Sequence, residues 1–179
     1  MKKFLALTLA LVMLSACALA EPVTIKESVP TFDLTMELPE GAVIKDESDD
    51  PNFASTCVSL PAGDGCELEL WLAIAPTEEY EDGLVLNDLT EENVETLFKT
   101  VSAELENPSY EVKDLKNGHK VMLINESDSK SDFAYIISIH NGYFIQLSIM
   151  HSGFDQLTED EVNVGFAMMD TIVITDHAA

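Results

Sequence analysis

Arginine is missing from this chain: all nine basic residues are lysines, set against 33 aspartates and glutamates, for a formal charge of −24. Without arginine there is no planar guanidinium fork, the group that proteins favour for bidentate recognition of phosphate and carboxylate. A surface this acidic also repels nucleic acid. Anionic substrates and nucleic acids are therefore poor partners. Cysteine is scarce as well, confined to Cys17, Cys57 and Cys66. No further Cys or His stands close enough in sequence to complete a closed metal site with them. Long apolar runs are absent except for Phe4 to Leu14, which is too short to span a bilayer. No cofactor-binding motif is present, and no cofactor is expected.

That single apolar run follows Lys2 and Lys3 and precedes small residues, so residues 1–20 have the three parts of a secretory signal. Two cleavage sites compete. Leu14-Ser15-Ala16-Cys17 resembles a lipobox, in which the cysteine receives a diacylglycerol, whereas Ala18-Leu19-Ala20 before Glu21 suits ordinary signal peptidase. Lipidation at Cys17 is the preferred reading. Either cut places the protein outside the cytoplasm, secreted or lipid-anchored at the cell surface, with membrane contact only through the anchor. Losing Lys2 and Lys3 moves the formal charge from −24 to −26. Both cuts leave Cys57 and Cys66 as the structural thiols, and a disulfide persists in such a compartment.

The rest reads as one domain over 21–174 with a tail at 175–179. Val23 to Glu27 and Phe32 to Leu38 alternate apolar and polar, the period of half-buried strands, and predict an opening hairpin. Asp46 to Asn52, DESDDPN, has the composition of a loop. Phe53 to Leu60 and Cys66 to Ala75 predict a second hairpin around Pro61-Ala62-Gly63-Asp64-Gly65. If Cys57 stands opposite Cys66, their Cβ atoms come within bridging distance. A Cys57–Cys66 disulfide is expected on that basis, worth roughly 2–3 kcal/mol for so small a loop.

Thr90 predicts a helix N-cap, with Val94, Leu97, Phe98, Val101 and Leu105 at helical spacing and Asn107-Pro108 as the stop. Four strands follow, at Tyr110 to Leu115, Lys120 to Asn125, Asp132 to His140 and Tyr143 to His151. Asn117-Gly118 and Asn141-Gly142 are type I′ hairpin signals. In the last pair both alternating sets are apolar, which predicts strands covered on both faces. Thr158 and Glu161 form a capping box for a second helix, in which Gly165 allows close packing on a sheet. Thr171 to Ile174 is a short terminal strand.

This order of elements resembles the PsbP-like superfamily, which includes the photosystem II extrinsic subunit, a Ran-binding nuclear import factor and bacterial lipoproteins of unassigned role. The residues carrying the resemblance are Phe32-x-Leu34-x-Met36-x-Leu38-Pro39-x-Gly41, Gly142-Tyr143-Phe144 and Met169-Asp170-Thr171-Ile172-Val173-Ile174. It implies an α+β fold: an α/β/α sandwich with a central antiparallel sheet of about six or more strands built from hairpins, one helix on each side. It also implies a non-catalytic scaffold that binds a protein or small ligand.

Three functions are weighed. The first is an exported, monomeric, non-catalytic binding domain with an unknown protein or small-ligand partner. The second is a calcium-binding surface protein using Asp46, Asp49 and Asp50, whose hard oxygens suit that ion. The third is a hydrolase: a two-residue turn at Asn141-Gly142 makes Asp132 and His151 cross-strand neighbours, with Ser152 next in sequence. That third reading lacks a G-x-S-x-G elbow. Trp71 reads as core, and Tyr80 among acids suits a basic partner.

Overall fold

The computed structural model describes residues 23–50, 53–63, 66–77, 86–127, 132–153 and 156–178. The leader, with Cys17, and Tyr80 lie outside the described residues. Among the described residues ten strands and two α-helices form, and they are not arranged as an α/β/α sandwich with one helix on each side. The chain is mostly β. Its two antiparallel sheets run β3-β4-β5-β9-β8-β7-β6 and β1-β2-β10. The strands are β1 (Thr24–Val29), β2 (Phe32–Glu37), β3 (Val43–Asp50), β4 (Phe53–Gly63), β5 (Cys66–Pro76), β6 (Ser109–Asp114), β7 (Lys120–Ser127), β8 (Asp132–His140), β9 (Tyr143–His151) and β10 (Val173–Asp176). The helices are α1 (Glu91–Val101) and α2 (Glu159–Met169). No helix among the described residues is long and apolar enough to cross a membrane.

The physical reason for the different layering lies in the opening hairpin. Its inward positions Ile25, Val29, Phe32, Leu34 and Met36 are fully apolar and buried. They form a second sheet that packs on the seven-stranded one, where the expected sandwich would have a helical layer. The larger core joins this hairpin to Val58, Leu70, Leu72, Ile136, Ile145, Leu147 and Ile149, with α2 closing the same core through Met168 and Met169. The alternate set of positions, Met122, Ile124, Ile137 and Ile139, packs with Leu97 of α1 and with Leu86 in a smaller cluster. Strands β8 and β9, apolar on both sets, do sit mid-sheet.

The acidic stretch expected as a loop is strand β3, paired with β4 from Val43 opposite Ser59 to Asp50 opposite Phe53. It is an edge strand, where charge is the usual protection against pairing with another chain. Composition alone reads such a strand as a loop. Of the residues expected as a tail, Thr175 and Asp176 belong to β10 and pair with Asp33 and Phe32.

The two Asn-Gly turns differ. Asn141 and Gly142 both have positive φ, 45° and 78°, as a type I′ turn requires. At the other turn only Gly118 does. Leu115 N–H donates to His119 O and Gly118 N–H to Leu115 O, which is a three-residue loop with glycine in the left-handed position. That turn docks against the end of α2, where Lys116 N–H donates to Asp170 Oδ1 at 2.8 Å and Asn117 Nδ2 to Met169 O at 3.0 Å.

Candidate functional site

Helix α2 begins as the sequence predicts. Thr158 Oγ1 accepts from Glu161 N–H, and Glu161 Oε2 accepts from Thr158 N–H at 2.7 Å, the reciprocal bonds of a capping box. The other carboxylate oxygen, Oε1, lies 3.1 Å from Nε2 of His151, at the end of β9. Burial pushes the Glu161 carboxyl up, but the Thr158 backbone and hydroxyl bonds and the His151 contact together hold it below its usual value.

This contact bears directly on the hydrolase reading. His151 is buried, its Nε2 faces Glu161, and its Nδ1 is buried without a hydrogen-bond partner. The Ser152 hydroxyl oxygen accepts from Glu67 N–H at 3.1 Å, prolonging the β5–β9 ladder by one residue. Neither ring nitrogen bonds to Asp132 or Ser152. Asp132, His151 and Ser152 share one end of the β8–β9 hairpin without forming a relay.

Of the calcium candidates, Asp46 and Asp50 stand four positions apart along β3. Pairing places Asp46 opposite Cys57, Glu47 opposite Thr56 and Asp50 opposite Phe53. Alternation along a strand sends neighbouring carboxylates to opposite faces, whereas a calcium site needs them turned toward one point. Among the described residues no group of three or more His, Cys, Asp or Glu side chains could hold a metal ion. The Asp49 side chain lies outside the described set.

The cysteine register also departs from expectation. Cys57 stands opposite Trp71, and Cys66 opposite Gly63, because β4 and β5 run on through Pro61, Ala62 and Gly63. Both residues are thiols. Five residue steps of extended strand lead from Cys66 to Trp71, the partner of Cys57, roughly 17 Å at the strand rise, far beyond bridging range. Burial, and then the neighbouring Glu69 and Asp46 charges, push the Cys57 thiol up to about 11. Trp71, expected in the core, is 38% exposed and turns its indole Nε1 toward Glu69 Oε2 at 3.4 Å.

The remaining histidines hold the C-terminal strand. His140 Nε2 lies 2.8 Å from Asp176 Oδ1, which also accepts from Asn141 Nδ2. His177 Nε2 lies 2.9 Å from Asp33 Oδ1, and its Nδ1 3.1 Å from Pro30 O. Two acceptors on one imidazole favour the doubly protonated ring, so the Asp33 and Pro30 bonds raise the His177 pKa. In contrast, burial lowers that of His119, and the nearby His140 adds to the effect.

The concave feature that gathers chemistry is a groove of about 350 Å³ between α2 and strands β6, β7 and β8. From α2 it takes Glu159, Val162, Asn163 and Phe166, spaced as one helical stripe. From the sheet it takes Lys113, Leu123, Asn125, Asp132 and Phe133. Lys113 Nζ sits 4.6 Å from the centroid of the Phe166 ring and 3.4 Å from Glu111 Oε2. The Glu126 carboxylate turns to the α1 side of the sheet, where it accepts from Glu106 N–H and from the Tyr135 hydroxyl. Of these residues, sequence reasoning singled out Asp132 alone as a site residue. The helical stripe was legible; which strands would face it was not.

No protein-family model matches this chain, and no curated protein matches it. Nothing therefore links it to the PsbP-like superfamily.

Proposed function

We propose that this is an exported, non-catalytic binding domain, secreted or lipid-anchored through Cys17, that takes a small ligand in the groove beside α2. The observation that carries the reading is the groove itself. Its volume of about 350 Å³ falls within the range of small-molecule sites. An apolar floor of Leu123, Val162 and Phe166 with a few polar groups at the rim is the usual composition of such sites. The separate engagement of His151 and Ser152 favours binding over bond-breaking, since nucleophilic catalysis needs the base within reach of the nucleophile.

The test is a ligand-observed NMR screen of a fragment library against the purified protein and an Asn163→Trp variant. Asn163 is an exposed groove residue, so tryptophan there fills the space without entering the core. The reading expects a set of fragments that bind the unmodified protein and are lost in the variant. Identical hit sets, or no hits at all, contradict it.

A further inference from the structure

We infer that the groove selects an organic cation: an ammonium group carried on an apolar stem. This rests on reading the groove as the ligand site and names the chemistry it takes. Three observations converge. The rim holds Asp132 and Glu159 against one cation, Lys113. The floor offers the aromatic face of Phe166. The Lys113 ammonium already stands over the Phe166 ring at 4.6 Å, so the protein itself places a cation on that face.

A bound ammonium meets the negative face of an aromatic ring and the field of nearby carboxylates, while its stem covers Leu123 and Val162. An anion of the same shape meets those carboxylates with the wrong sign and finds only a lysine already bound to Glu111. The chain's formal charge of −24 works in the same direction, concentrating cations near the surface. The concavity and volume fit a single small molecule.

The test uses three probes of one shape: 3-phenylpropylammonium, 3-phenylpropan-1-ol and 3-phenylpropanoate, titrated calorimetrically into the purified protein. The expected order is ammonium tightest, alcohol about tenfold weaker and carboxylate weakest. Asp132→Asn combined with Glu159→Gln should abolish most of the ammonium preference while leaving alcohol affinity in place. Lys113→Met should tighten ammonium binding roughly two- to fivefold by vacating the ring face. Equal affinities for the three probes, with binding lost in Asn163→Trp, overturn the charge selectivity and leave the groove as a ligand site. Absence of ammonium binding, or an unchanged preference in the Asp132/Glu159 double variant, also overturns the inference.

Discussion

His151 Nε2 and Glu161 Oε1 are 3.1 Å apart, joining the last residue of β9 to the first turn of α2. The contact ties the helix that forms one wall of the groove to the central strand of the seven-stranded sheet. With Nε2 turned to the Glu161 carboxylate as the donor, the lone pair of a neutral ring falls on Nδ1, which is buried and bonds to no partner, the adjacent Ser152 hydroxyl included.

Removing that carboxylate should therefore cost stability twice over. Glu161→Ala leaves buried His151 without its partner and dismantles half of the capping box. A loss of about 2–3 kcal/mol in urea unfolding is expected. Thr158→Ala, which removes the cap oxygen alone, should cost about 1 kcal/mol. Equal effects for the two variants would mean that the histidine contact contributes nothing.

Gly165 faces the side chains of Ile149 and Ile136, and a Cβ at this position would collide with Ile149 Cδ1 and crowd Ile136 Cδ1 at 3.1 Å. Alanine gains up to about 1 kcal/mol of helix propensity, but overpacking at such a site costs about 1–3 kcal/mol. Gly165→Ala should be net destabilising, and Gly165→Ala with Ile149→Val should recover part of the loss. A Gly165→Ala variant that melts higher than the parent would place the helix farther from the sheet.

Cys57 is buried, with its thiol raised to about 11 by burial and by Glu69 and Asp46. In the folded protein it should resist iodoacetamide near pH 8 and react once denatured, because the thiolate is the nucleophile. Intact mass under non-reducing conditions should retain both thiol hydrogens. A mass short by two hydrogens would restore the Cys57–Cys66 bridge and overturn the β4–β5 register.

The C-terminal clasp should depend on pH. Its His177 pKa is raised in the folded state, so its contribution is fully present below the ordinary imidazole value and is lost as pH rises through the raised one. Asp33 is lowered, by the Ser28 bond first and then by His177, so its contribution is present above the ordinary carboxylate value and fades as pH falls through the lowered one. Protection of the β10 amides against hydrogen exchange should thus be greater near about pH 6 than near about pH 9. His177→Gln should flatten the difference; a pH dependence that survives the substitution would assign it elsewhere.

Local structure was legible wherever the signal is local. Thr90 and Thr158 cap the helices that their neighbours announce, and β8 and β9 run over the stretches their alternation marks. Partner choice was not legible. Nothing in Phe32 to Glu37 says whether that strand joins the central sheet or starts another, since both bury the same three side chains. The Cys57 register shifted for a related reason. Pro61 and Gly63 are ordinary turn residues that an outer strand tolerates, and here they lie in the ladder. The groove escaped because its walls come from chain segments far apart in sequence; of its lining, Asp132 alone stood out beforehand, and then only as a cross-strand neighbour of His151.

The central claim is that the groove beside α2 receives a cationic ligand, and amide chemical-shift mapping with 3-phenylpropylammonium tests it most directly. Trp71 pairs with Cys57 in the β4–β5 part of the sheet and is not part of the groove lining, so it serves as an internal control. The account predicts shifts at Asn125, Phe133, Val162 and Asn163 with an unchanged Trp71 indole signal. Shifts centred on Trp71, or none at the α2 groove, would contradict it.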